Sequence, residues 1–171
     1  MRLIQIYKAD LLNGVGLRNV YFFSYCPHHC PDCFNKETWE LEPENSRVWT
    51  EDDLEELIKD AEPGHISGIT LSGGDCLSDP NIPEVLELCK RFKERFGGTK
   101  TIWAYTGYTW ENIMKNGGLR RECMDYLDVL CDGPFISSLK SPSKPWVGSE
   151  NQRVIDVKKS LIENKVILYG E

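Results

Sequence analysis

Three cysteines fall within eight residues, in the run Cys26-Pro-His-His-Cys30-Pro-Asp-Cys33-Phe34-Asn35. Any fold this chain adopts has to present that loop to whatever it binds. Three thiolates are one ligand short of a closed tetrahedral zinc site or a fully ligated iron–sulfur cubane. The other cysteines are scattered, and none is spaced to complete the set locally. Spacing alone leaves two readings open. Structural zinc needs a fourth ligand from His28, His29 or a distant cysteine, and nothing downstream resembles a second Cys-x-x-Cys hook. A cluster held by three cysteines leaves one iron open to an exogenous ligand. Pro27 and Pro31 stiffen the loop through their fixed φ. His28 and His29 read as loop polarity, with metal ligation the lesser alternative.

A chain of 171 residues suits one compact domain, taken here as 1–171. Its net charge of −7 argues against broad nucleic-acid binding, which needs a basic footprint. No segment approaches the ~20 apolar residues of a membrane span, and the apolar stretch at the start is too short for a signal peptide. A cytoplasmic location with reduced thiols is therefore expected. Seven cysteines, an odd number, also fit no complete set of intrachain disulfides. Cys89 and Cys131 read as small buried hydrophobes, and Cys123 is left open.

Strand-like and helix-like segments alternate. Leu3–Tyr7 and Val20–Ser24 are short apolar runs, and the cysteine loop follows the second directly. Thr50-Glu-Asp-Asp53 reads as a capping box opening a helix with Leu54, Leu57, Ile58 and Ala61 on one face. Pro63-Gly64 ends it. Ile66–Leu71 reads as a strand, then a helix carries Ile82, Val85, Leu86, Cys89 and Phe92 until Gly97-Gly98. Thr101–Tyr105 and Val129–Cys131 read as strands, with short helical pieces at Thr109–Lys115 and Arg120–Tyr126 between them. Arg153–Val157 and Val166–Tyr169 read as late strands. This alternation predicts an α/β domain with a mostly parallel sheet.

In such folds, sites gather at the C-terminal ends of the strands. The cysteines follow Ser24, the Ser72-Gly73-Gly74-Asp75 turn follows Leu71, Thr106 follows Tyr105 and Asp132 follows Cys131. Motifs scattered in sequence would meet on one rim. Gly-Gly after a strand is often just a tight turn. A functional reading adds that the missing Cβ atoms admit a ligand to the backbone, and that Asp75 can hold an ammonium group. Cys76 reads as a packing residue, since a fourth thiolate would close the site. Thr106 and Asp132 are open between a strand-end hydrogen bond or turn and a ligand contact. Trp103, Tyr105 and Tyr108 read as packing. The long loop Ile136–Asn151, with Lys140, Lys144 and Trp146, is a candidate docking segment.

Cys-x-x-x-Cys-x-x-Cys followed by Gly-Gly-Asp resembles the radical S-adenosylmethionine (SAM) superfamily. Trp103–Tyr108, Asp128–Phe135 and Gly148–Arg153 extend the resemblance to one of its families, the small activating proteins of anaerobic ribonucleoside-triphosphate reductase. It covers the chain to about Ile155. It implies a partial (β/α) barrel of radical SAM type. It implies that Cys26, Cys30 and Cys33 hold a [4Fe-4S] cluster whose fourth iron is chelated by SAM. Asp32, Cys33, Phe34, Gly73, Gly74, Asp75, Thr106 and Asp132 are the implied SAM contacts, Asp75 beside the amino group. An electron from the reduced cluster would cleave the sulfonium, and the deoxyadenosyl radical would take a hydrogen from a glycine. That glycine belongs to the large subunit of the anaerobic reductase, and the electron comes from a low-potential donor such as flavodoxin. Another glycyl-radical enzyme or a small molecule is the alternative target. The chain departs from the family at Asp32, where glycine is usual, and at Cys76, where proline is usual.

Overall fold

A computed structural model describes residues 1–170. One sheet of seven strands organises them, in the order β3-β1-β2-β4-β5-β6-β7. The strands are β1 (Arg2–Asp10), β2 (Leu17–Phe23), β3 (Arg47–Val48), β4 (Ile66–Gly73), β5 (Thr101–Tyr105), β6 (Val129–Asp132) and β7 (Arg153–Asp156). β2, β4, β5 and β6 run parallel as neighbours. β1 pairs antiparallel with both β2 and β3, and β7 antiparallel with β6. The mixed α/β architecture expected from the sequence is therefore present. The sheet is open, with β3 and β7 at its edges, so no barrel is closed.

The four central strands lie side by side in chain order. Right-handed crossovers between sequential strands put their helices on one face. That face is packed by α1 (Glu51–Ala61), α2 (Ile82–Phe96), α3 (Trp110–Asn116), α4 (Gly118–Met124) and α5 (Val157–Glu163). Side chains alternate along a strand. Ile69 and Leu71, Ile102 and Ala104, and Leu130 join the main core beneath the helices. Their neighbours Trp103, Val129 and Cys131 point the other way and form a second, smaller cluster with Trp146 and Val147. The helix-free face is thus left to the site.

Local signals explain the better-read elements. Thr50 caps α1 as anticipated: its Oγ1 accepts from Asp53 N, and Asp53 accepts from Thr50 N at 2.8 Å. α2 buries Ile82, Val85, Leu86, Cys89 and Phe92 at helical spacing and stops at Gly97. The C-terminal segments differ from expectation. β7 ends at Asp156, whose carboxylate caps α5 by accepting from Lys159 N, so Val157 begins a helix. Val166–Tyr169 is not a strand; it contributes one bridge, Ile155 to Leu168. The 136–151 loop is anchored by a 3-10 turn at Ser137–Leu139 and a Lys140–Ser149 bridge. Among the described residues, no helix is long and apolar enough to cross a membrane.

Candidate active site

The ends of β2, β4, β5 and β6 surround a cavity of about 430 Å³ on the helix-free face. That volume lies in the usual range for small-molecule sites. Cys26, Cys30 and Cys33 share its wall with Phe34, Gly73, Gly74 and Thr106. The convergence expected from strand-end motifs is therefore seen for seven of the ten candidate residues. Asp32, Asp75 and Asp132 lie outside the wall.

Burial of Cys26 pushes its thiol up to about 11, against the pull of the His28 and His29 backbone groups. Burial also raises Cys30, opposed by the backbone of Phe135. The Asn35 N–H donates to Cys33 Sγ at 3.4 Å. Each sulfur therefore faces a backbone donor, and such donors stabilise thiolates and cluster sulfurs. Among the described residues, no three His, Cys, Asp or Glu side chains gather around one ion position. A cluster takes each cysteine on a different iron and leaves the fourth iron open. The donor set fits a cluster.

The two glycines of the turn are explained by the protein's own backbone. A Cβ on Gly73 would stand 2.4 Å from Phe23 O, and one on Gly74 would stand 2.3 Å from Tyr25 O. Gly73 also has φ +105. The absent side chain of Gly73 lets β4 close against the end of β2, and that of Gly74 admits the backbone of Tyr25 just before the cysteines, where the sequence suggests room for a ligand. Both still line the cavity.

Asp75 differs most from expectation. Its carboxylate is fully buried and faces four protein donors. Oδ1 accepts from Leu77 N at 2.8 Å, and Oδ2 accepts from Gly107 N at 3.0 Å. The Thr106 hydroxyl donates to both oxygens, at 3.0 and 2.9 Å. His28 Nε2 lies 2.6 Å from Oδ2. Asp75 is thus a hub joining the cysteine loop to the ends of β4 and β5, and an ammonium would have to displace one of these partners. Asp132 is likewise engaged: it accepts from Trp110 N at 2.7 Å and from Arg153 Nε at 3.0 Å, pinning α3 and β7 together. Asp32 sits at φ +59, a conformation that favours glycine and tolerates aspartate. Its carboxylate turns to Ser137, away from the cavity.

Four side chains make contacts that the sequence does not announce. The sequence reads His28 as loop polarity, whereas the side chain lines the cavity and binds the hub. Asn81 donates its amide to Ser24 O and Asp75 O, at 2.8 and 2.9 Å, tying α2 to the site. Trp146 and Lys144, proposed for docking, are engaged internally. Trp146 packs edge-on against Trp103 at 5.2 Å, and Lys144 Nζ donates to Glu150 O and Gln152 O. No local pattern signals these contacts; for His28 the one hint is the glycine of Thr106-Gly107-Tyr108. Cys76 is buried in the core, its Sγ 3.3 Å from Tyr105 O, outside the cavity wall.

Residues 12–155 match the model of a family described as a 4Fe-4S single cluster domain. Curated relatives cover nearly their whole length with this chain. A Salmonella typhimurium protein is 38% identical over 90% of this chain and 97% of its own length. An Escherichia coli K12 protein is 38% identical over 88% and 95%, and one from Enterobacteria phage T4 is 37% identical over 88% and 90%. All three are named anaerobic ribonucleoside-triphosphate reductase-activating protein. The cysteine-lined cavity, the family match and these relatives together place the chain in the 4Fe-4S single cluster domain family, among the anaerobic ribonucleoside-triphosphate reductase-activating proteins.

Proposed function

We propose that this chain is a radical SAM activase that installs a glycyl radical on the large subunit of an anaerobic ribonucleoside-triphosphate reductase. The observation that carries the reading is the wall formed by Cys26, Cys30 and Cys33 in a cavity open to a second ligand. The names of the relatives supply the target. Cys26, Cys30 and Cys33 would hold a [4Fe-4S] cluster, and Phe34, Gly73, Gly74 and Thr106 would contact SAM. When bound, the cluster and SAM supply the reductive cleavage that generates the hydrogen-abstracting species. The chain's part is to position and to shield. Phe34 and Phe135, with ring centroids 5.3 Å apart, give one side of the cavity an apolar wall that suits an adenine. Trp146 and Tyr105 line it further and limit water. The open sheet with helices on one face fits a partial barrel of radical SAM type. The electron would come from a low-potential donor such as flavodoxin.

The test is anaerobic reconstitution, reduction, and addition of SAM with the candidate reductase. A glycine-centred EPR signal is expected. Deoxyadenosine formed without that signal would redirect the activity to another target.

A further inference from the structure

We propose that His28 is a positioning residue for the cluster loop, acting through Asp75. The inference rests on reading Cys26, Cys30 and Cys33 as cluster ligands. His28 lies on the arc between the first two of them. The loop is tethered by backbone bonds just before that arc: Tyr25 N to Thr38 O at 2.7 Å, and Asp75 N to Tyr25 O at 2.7 Å. Among the described residues, no backbone–backbone hydrogen bond joins residues 27–32 to another element; Cys33 N to Cys30 O closes a turn within the loop. Side chains have to fix the arc instead.

His28 is the side chain that reaches the strand ends. Its Nε2 lies 2.6 Å from Asp75 Oδ2. Its ring meets Tyr108 edge-on, with centroids 4.6 Å apart. Gly107 makes the seat: a Cβ there would stand 2.3 Å from His28 Cδ2. Asp75 is fixed in turn by Thr106 and by Gly107 N, so the imidazole is held by the ends of both β4 and β5. His28 also faces the cavity. His28 thus sets where the arc bearing Cys26 and Cys30 stands relative to the ends of β4 and β5, while His29, stacked on Trp39, and Asp32, bonded to Ser137, hold the arc to other loops. Partners that orient metal ligands without ligating typically change affinity or activity 10–100-fold when removed.

The experiment compares wild type with His28→Ala and His28→Gln in the full chain, prepared without oxygen. In the cluster-free proteins, hydrogen exchange at the bonded amides flanking the arc, Cys26 N, Asp75 N and Gly107 N, should quicken in His28→Ala. After iron loading, His28→Ala should retain iron, weaken SAM binding about tenfold and alter the EPR line shape that SAM induces. His28→Gln, whose amide N–H reaches toward Asp75, should recover most of both. Wild-type line shape, SAM affinity and exchange in His28→Ala would overturn the proposal. So would loss of iron and cooperative unfolding alike in both variants, which would make His28 merely structural. A wild-type protein that takes up no iron would overturn the cluster reading itself, before any variant is compared.

Discussion

The Ser137 hydroxyl donates to the Asp32 carboxylate at 2.7 Å, joining the cysteine loop to the start of the long loop after β6. This contact gives the Asp32 carboxylate a protein partner of its own. The backbone keeps φ +59, and the side chain gains a partner outside the cavity. Asp32→Ala should lose both the bond and the local tolerance of aspartate for that conformation, costing about 1–2 kcal/mol. Asp32→Gly should stay within about 1 kcal/mol of wild type, because glycine removes the strain as the bond is lost. Urea unfolding of the cluster-free chain measures both. SAM affinity should change in neither, and a large loss in Asp32→Gly would put the carboxylate back in the cofactor site.

Asp75→Asn should damage the fold and the site together. An amide cannot accept from Leu77 N, Thr106, Gly107 N and His28 as the carboxylate does. A buried network that loses acceptors costs about 2–4 kcal/mol. Iron content and SAM affinity should therefore fall in parallel. Full iron loading with a selective loss of SAM binding would show that Asp75 serves the ligand, as the sequence alone suggested.

What the sequence made legible was local. The Thr50–Asp53 capping box and the apolar spacing of α2 depend on neighbours within a turn or two, and both are present in the structure. The cysteine run, too, is one contiguous segment. The roles of Asp75 and Asp132 depend on partners 47 and 21 residues away, His28 and Arg153, and no periodicity encodes those pairings. At the end of the chain the strand is present over Arg153–Asp156, but Val157 and Val166–Tyr169 depart from expectation for a related reason. Arg153–Val157 is apolar enough for a strand, but Asp156 caps a helix, and Leu168 contributes a single bridge to Ile155.

Asp132→Ala should separate stability from binding. Removing the carboxylate leaves Trp110 N without its acceptor and Arg153 without a buried partner. Arg153 is part-exposed and keeps its two bonds to Glu111, so the expected cost is about 1–3 kcal/mol, set by the buried Trp110 N–H left unmet. Because Asp132 lies outside the cavity wall, SAM affinity of the folded, iron-loaded fraction should remain near wild type. Thermal unfolding and equilibrium SAM titration of the same sample give the two numbers, and an affinity loss with unchanged stability would contradict the geometry.

Cys26→Ala, Cys30→Ala and Cys33→Ala should each abolish SAM cleavage and strip most bound iron. Cys76→Ala should leave iron and visible absorbance intact. Burial pushes the Cys76 thiol well above its ordinary range, and its sulfur is turned to Tyr105 O within the core. What separates it from the three cluster cysteines is its place, in the core and outside the cavity wall. If Cys76→Ala loses its iron, the site has four cysteines and no position left for SAM.

The cluster-free chain should lose stability in alkaline solution, with Cys131 contributing a defined part. Burial pushes this thiol from 9.0 to about 12 in the folded chain. A group whose folded value lies above its unfolded one stabilises fully below the unfolded value, and that stability is lost as pH rises toward the folded one. Between pH 9 and 12 the unfolded chain releases a proton that the folded chain keeps. The slope from this residue should approach about 1.4 kcal/mol per pH unit. Cys76 and Tyr21 are raised by burial as well, so the total should be steeper. Urea midpoints from pH 8 to 10.5 should fall with increasing steepness in wild type, and Cys131→Ala should reduce the slope by a share that grows toward one proton's worth at the upper end. Equal slopes would mean that the folded chain exposes this thiol to water.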